Sequence, residues 1–298
     1  MMRNKDFAVF ILTYRRPDRV VTYRTLRKAG YTGEIYIIID NEDETAQQYY
    51  DKFGDKVIMY DKAAIAETFD EGDNFQDRRS VFYPRNASFG IARQLGMTYF
   101  MQLDDDYNRF EYRINDRLDY PPKHWIVKSG LDSIFDLLLD FYKSISAVSI
   151  AVAQGGDFIG GSKGSSVFRM KRKCMNSFIC STERPFQFVG KMNDDVNTYI
   201  WYQGLGTLFL SIPFVSIGQT ETQSNPGGMS ELYLDVGTYV KSFYPIMYSP
   251  SCVKIGVITG ESHQRIHHSI EWEKAVPCII EEKYCKVQGR KALEVPGQ

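Results

Sequence analysis

Three nearly continuous apolar, strand-forming runs, each stopping abruptly on polar residues, dominate the amino-terminal part of the chain: FAVFIL at residues 7–12, EIYIII at 34–39 and YFMQL at 99–103. A strand exposed on one face alternates apolar and polar residues. One that is apolar at neighbouring positions is covered on both faces, as in a mostly parallel sheet with helices on either side. The intervening segments fit that arrangement. Pro17 stands at a helix start, residues 18–29 read as a helix ended by Gly30, and residues 85–95, opening at Asn86 and closing at Gly96, lead into the third run. A further short strand is expected at residues 57–60. Repeated strand-helix-strand units predict an α/β fold around a largely parallel, twisted sheet.

The second half has a different texture. Residues 61–80 are polar and weakly periodic, predicting an irregular insertion, and 107–123 form a charged loop or hairpin ending at Pro121-Pro122. Residues 129–144 read as an amphipathic helix, 146–153 as a strand, 154–166 as a Gly/Ser-rich loop, 207–217 as strands, and 219–229 as a loop around Asn225-Pro226-Gly227-Gly228. With no internal repeat or linker, one domain over residues 1–298 is expected, a first half at 1–106 and a second at 107–298. A net charge of −1 gives no overall attraction to nucleic acid, so such binding would need a local patch. Five cysteines without CxxC spacing indicate neither a disulfide framework nor a zinc ribbon. The apolar run at 7–12 is too short for a signal-peptide core, and no stretch approaches a membrane span of about 20 residues, so the expected location is the cytoplasm.

The third run ends on Asp104-Asp105-Asp106. Three adjacent carboxylates repel one another, and a divalent cation with the phosphates it carries would relieve that repulsion. In open α/β sheets, ligands sit at the carboxyl ends of strands; an acidic turn in solvent has the same sequence. A second acidic pair, Asp194-Asp195, follows Asn193 and precedes a helical stretch at 196–201. There a carboxylate is held ionised, ready to take a proton from a hydroxyl, or simply caps the helix. Three of the four histidines are His263, His267 and His268, and positions 263 and 267 would share a face of a helix. An imidazole can complete the oxygen-rich shell of manganese. Basic and apolar residues interleave from Arg169 through Arg172 and Lys173, a pattern suited to gripping a phosphate backbone or to guarding a strand edge.

The ordered series FAVFILTYRRP, IIID, RNASFGIARQLGMTYFMQLDDDY, KCMNSFIC, GKMNDDVNTY, GTYVKSFYPIM and RIHHSIEWEKAVPCIIEEKY resembles the GT-A glycosyltransferases. Within them it is most similar to the phage TET-associated enzymes that glycosylate hydroxymethylated pyrimidines in DNA, relatives of the base J glucosyltransferase. The resemblance implies a metal-dependent (Mn2+ or Mg2+), inverting transfer of a sugar, glucose foremost, from a UDP-sugar to DNA. Asp104 and Asp106 would contact the metal, with Asp105 between them on the sugar-nucleotide. His267, or else His263 or His268, would add the late metal contact. Thr13, Tyr14, Arg16 and Asp40 would line the nucleoside pocket, and Arg85, Asn86 and Arg93 would reach the diphosphate or sugar. Asp195 would activate the acceptor, with Asp194 the alternative, since this chain has Asp-Asp where the family has Glu-Asp. A base leaving the duplex could stack on Tyr199, Trp201 or Tyr202, and Arg169, Arg172 and Lys173 would hold the strand. A glycan, lipid or protein acceptor, or a module without catalysis, are the other readings of the same residues.

Overall fold

The computed structural model describes residues 2–73, 77–114, 125–154, 157, 175–219, 240–259 and 264–281. β1 is Phe7–Leu12, and a 3-10 turn at Pro17–Arg19 leads into α1, Val21–Lys28. β2 (Glu34–Asp40), α2 (Ala46–Phe53), β3 (Val57–Tyr60), α3 (Lys62–Ala66), α4 (Phe82–Gln94) and β4 (Tyr99–Asp104) follow. Next come β5 (Tyr107–Tyr112), β6 (Trp125–Ile126), α5 (Leu131–Ser144), β7 (Ser149–Ala153), β8 (Phe178–Ser181), α6 (Asp194–Gly204) and β9 (Phe209–Gln219). Last are a short helix α7 (Tyr244–Tyr248), a ribbon of β10 (Val253–Thr259) and β11 (Gln264–Ile270), and α8 (Trp272–Ala275).

Among the described residues, nine strands form one sheet in the order β3-β2-β1-β4-β8-β7-β9-β5-β6. The first four are parallel, with Leu12 beside both Ile38 and Asp104, and Asp40 beside Tyr60. Their carboxyl ends therefore form one edge. β8 runs antiparallel to β4, and β9 parallel to β7, so the start of β8 and the end of β9 reach that same edge. The α/β expectation is met, and one sheet draws strands from both halves.

The apolar runs at neighbouring positions are explained by two cores. Val9 and Ile11 of β1 pack with Ile37, Leu103, Leu26 and Phe135 on one face, while Ala8, Phe10 and Leu12 pack with Phe82, Ala87, Phe100 and Tyr199 on the other. Each residue of β1 enters one core or the other, which is why both of its parities are apolar. No helix among the described residues is long and apolar enough to cross a membrane.

Several local expectations change. The helix expected at 18–29 begins only at Val21, because Val20 leaves helical geometry with φ −73° and ψ 70°. α4 starts at Phe82 rather than 85; Pro84 is tolerated because a first-turn N–H has no intrahelical partner to lose. Within the segment read as irregular, Asp61 caps α3 by accepting from the Ala64 N–H at 2.9 Å. The strands expected at 207–217 are a single strand, and α2 was not foreseen. The histidine stretch is not helical: Gln264–Ile270 is a strand because it pairs along its length with Val253–Thr259.

Candidate active site

The carboxyl edge of the parallel strands is where the acidic turn sits. Thr22, in the first turn of α1, holds the backbone of that turn: its hydroxyl donates to Asp104 O at 2.6 Å and accepts from the Tyr107 N–H at 2.9 Å. The Thr22 N–H donates to Asp105 O at 3.1 Å. The three carboxylates then diverge. Asp105 turns inward, accepting from the Thr13 hydroxyl at 2.6 Å and from Arg16 Nη1 at 3.2 Å. Tyr49 completes this knot: its hydroxyl lies 2.9 Å from Thr13 Oγ1 and accepts from the Arg16 N–H at 2.8 Å. Asp104 and Asp106 stay half-buried. Burial, together with the charges of Asp104 and Asp105, pushes the Asp106 carboxyl up to about 7, while Gln219 Nε2 approaches its Oδ2 at 3.3 Å.

Beside this turn, Asp40 at the end of β2 is buried against Lys62, Nζ to Oδ2 3.0 Å. Burial raises the Asp40 carboxyl and Lys62 opposes the rise. The same ammonium lies 4.4 Å from the centroid of the half-buried Tyr14 ring, and Arg15 flanks that ring at 5.2 Å. Thr13, Tyr14, Arg16 and Asp40 are thus brought together at one end of the sheet.

The second acidic site joins the first through one side chain. Arg85, in the first half of α4, is fully buried; its Nη2 is 3.2 Å from Asp104 Oδ1 and its Nε 2.9 Å from Asp194 Oδ2. Phe178 and Phe188 flank the guanidinium at 5.2 and 5.5 Å, and Nη1 donates to Asn176 O at 3.3 Å. The neighbouring Asn86 clamps the Phe188 backbone from both sides, donating to its O at 3.1 Å and accepting from its N–H at 2.8 Å. Arg85 and Asn86 are therefore committed to protein groups. Arg93 is exposed in the last turn of α4, toward the amino end of β4 and away from the acidic turn.

Asp194 and Asp195 open α6, and the capping position is Asn193, in the left-handed region at φ 55° with no side-chain cap. Burial pushes the Asp194 carboxyl up to about 7 against the pull of Arg85, and burial raises Asp195 as well. Asp194 is buried, whereas Asp195 is half-buried. Lys191 secures the approach to this pair, buried against Asp73 at 2.9 Å and Glu71 at 3.4 Å. Gly190 makes the turn possible. At φ +77°, an added Cβ would come within 2.6 Å of Asn197 Nδ2 and 2.8 Å of Tyr248 Cε2. Gly190→Ala is expected to cost about 1–3 kcal/mol from backbone conformation alone. Denaturant unfolding checks this, and an unchanged midpoint would contradict the packing described.

His268 lies beside the acidic pair, its Nδ1 3.4 Å from Asn193 Nδ2. The His267 and His268 rings stack at 4.2 Å. His263 lies outside the described residues, as do Arg169, Arg172 and Lys173. Trp201 is half-buried beside Tyr202 and Tyr248, ring centroids 4.9 and 6.3 Å away. Tyr199 is enclosed, stacked on Trp272 at 5.9 Å, and so is withdrawn from any ligand. Lys62, Tyr49 and Thr22 were not anticipated. Lys62 follows the end of β3 by two residues, so extending the strand-end rule to that strand would have found it.

Among the described residues no three His, Cys, Asp or Glu side chains form a closed metal cage. An ion shared with a diphosphate needs only one or two carboxylates from the protein, and half-buried Asp106 beside two further carboxylates fits that role.

The edge that gathers two acidic clusters with Thr13, Tyr14, Arg16 and Asp40 is the edge at which open α/β sheets place their ligands. The chain belongs to the TET-associated glycosyltransferase family, whose model matches residues 7–228, and its activity is glycosyl transfer. The resemblance drawn from the sequence is met for family and fold class. A structure of glucosyl-3-phosphoglycerate synthase from Mycobacterium tuberculosis in complex with Mn2+, UDP and phosphoglyceric acid is similar with TM-score 0.43 and 11% identity, over 89% of this chain and 86% of that one. The same synthase with Mn2+, UDP-glucose and glycerol 3-phosphate gives 0.41 and 10%, over 90% of each chain. No curated protein matches.

Proposed function

We propose that this protein transfers a sugar, glucose foremost, from a UDP-sugar to the hydroxymethyl group of a modified pyrimidine in DNA, inverting the anomeric centre. The observation that carries the reading is the buried Arg85 side chain, with Asp104 on one side and Asp194 on the other: it makes one site of two acidic clusters far apart in sequence. Glycosyl transfer needs such a pairing, charge stabilisation for a departing diphosphate and a base for the incoming hydroxyl.

Thr13, Tyr14, Arg16 and Asp40 form the nucleoside end of the donor site, with Lys62 beside them. Asp104 and Asp106, with His267 or His268, are the residues that would hold Mn2+ or Mg2+, which supplies positive charge to the diphosphate oxygens. Asp195 takes the proton of the hydroxymethyl group. The hydroxymethyl oxygen forms the new bond to the anomeric carbon, and the bond from that carbon to the UDP oxygen breaks with its electron pair leaving on UDP. Asp194, held by Arg85, orients the start of α6 rather than accepting the proton. Membership of the TET-associated family supports DNA as acceptor, and a base turned out of the duplex would find Trp201 on α6.

The test offers UDP-sugars with manganese to duplexes containing hydroxymethyluracil or hydroxymethylcytosine, and to the same duplexes without the hydroxymethyl group. Sugar on the hydroxymethylated DNA alone is expected, with anomeric configuration opposite to that of the donor. Transfer only to glycan, lipid or protein hydroxyls would replace the acceptor, and failure to bind any sugar nucleotide would point to a module without catalysis.

A further inference from the structure

Arg85 is a charged side chain with no exposure to speak of, set between two carboxylates from distant parts of the chain. A buried guanidinium is costly unless its charge is matched and its donors are used. Here Nη2 donates to Asp104 Oδ1 at 3.2 Å and Nη1 to Asn176 O, while Nε lies 2.9 Å from Asp194 Oδ2 as an ion pair outside hydrogen-bond geometry, and two phenylalanine rings cover its faces. Such commitments leave it poorly placed to bind a donor phosphate. They also limit distances, because one rigid planar cation, hydrogen-bonded to Asp104 and ion-paired with Asp194, keeps the two carboxylates close together, which an ammonium on a flexible stem does less well. The adjacent residue on α4, Asn86, grips the backbone at Phe188, in the segment leading to Asp194. Two successive residues of one helix thus register β4 and the approach to α6 against each other.

We propose that Arg85 is a positioning residue that sets the separation between the carboxylates on the leaving-group side and those on the acceptor side. It rests on the proposed division of labour between Asp104/Asp106 and Asp195. Its effect falls on the chemical step, where a misplacement of about 1 Å can cost about 100-fold in rate.

The experiment uses Arg85→Lys, Asp194→Asn and the double variant, each first shown to be folded by circular dichroism and thermal melting. Donor affinity is measured by calorimetry with UDP and manganese, and turnover as sugar transfer. Arg85→Lys is expected to bind UDP within about threefold of wild type and to lose about 100-fold in kcat. The double variant should lose no more than the worse single one, since both substitutions break the same bridge. A large loss of UDP affinity with near-normal kcat would make Arg85 a donor contact and overturn the assignment. Multiplying losses in the double variant, or a folded Arg85→Lys with unchanged kcat, would overturn it as well. If wild-type protein leaves hydroxymethylated DNA unmodified, the acceptor reading fails by itself; the same comparison is then read from UDP release with water as acceptor, with the same supporting and opposing outcomes. Should Arg85→Lys fail to fold, Asn86→Asp and Asn86→Ala loosen the same register from the neighbouring position. Loss of kcat with retained UDP affinity supports the account, and unchanged kcat opposes it.

Discussion

Asp195→Asn is expected to lower sugar transfer about a thousandfold, within the range of about 10²–10⁴ for a general base, while UDP binding with manganese stays within about threefold. Asparagine keeps the shape of the side chain but cannot take a proton. Asp195 is the half-buried member of the pair, whereas Asp194 is buried with its Oδ2 2.9 Å from Arg85 Nε. Asp194→Asn acts differently: it weakens the match to a buried cation, a change that costs about 3–5 kcal/mol when one partner of such a pair is removed. Its rate loss comes from displacement. Single-turnover transfer separates the two, particularly in alanine variants supplied with formate. Formate should restore part of the rate to Asp195→Ala and none to Asp194→Ala. The opposite pattern would move the base to Asp194.

The other large effect is expected at Asp106. Asp106→Asn should weaken manganese-dependent UDP binding by at least about 100-fold, since losing even an outer-shell partner of a metal ligand costs about 10–100-fold. The reason lies in the crowding of charge. Asp106 sits beside Asp104 and Asp105 in a partly closed setting that pushes its carboxyl up to about 7, so a cation there removes an existing electrostatic penalty. Asp105→Asn should behave otherwise. Its carboxylate is spent on Thr13 and Arg16, so the substitution loosens the join between β1 and β4 and lowers stability before it touches the metal. Calorimetry with and without manganese, beside thermal melting, distinguishes these outcomes. Equal UDP affinity for wild type and Asp106→Asn would exclude Asp106 as a metal contact.

The parallel half of the sheet was legible because burial on two faces leaves an unmistakable trace: residues of both parities in FAVFIL are apolar, and the chain turns polar where the strand reaches the edge. The acidic turn was legible for the same reason. What its three members do was not, because Asp104 ends the strand while Asp105 and Asp106 lie in the turn, and their directions depend on backbone geometry and on Thr22 from α1. The bridge through Arg85 left no local trace. Its neighbour Asn86 meets Phe188 at a separation of 102 residues, a contact no period or motif encodes. The histidines misled because spacing alone does not separate helix from strand, and pairing with β10 decided the matter. Lys62 was passed over since the polar texture of residues 61–80 hid a capped turn of helix.

The central claim is that the end of β4 and the start of α6 form a single sugar-transfer centre. Crystals of the protein grown with UDP and manganese test it most directly, through the anomalous signal of the metal. The account predicts a manganese peak on the Asp104 and Asp106 carboxylates, shared with the diphosphate, with uracil beside Tyr14 and Asp40 and the Asp195 carboxylate facing the sugar end. A nucleotide bound elsewhere, or a manganese peak away from Asp106, would contradict it.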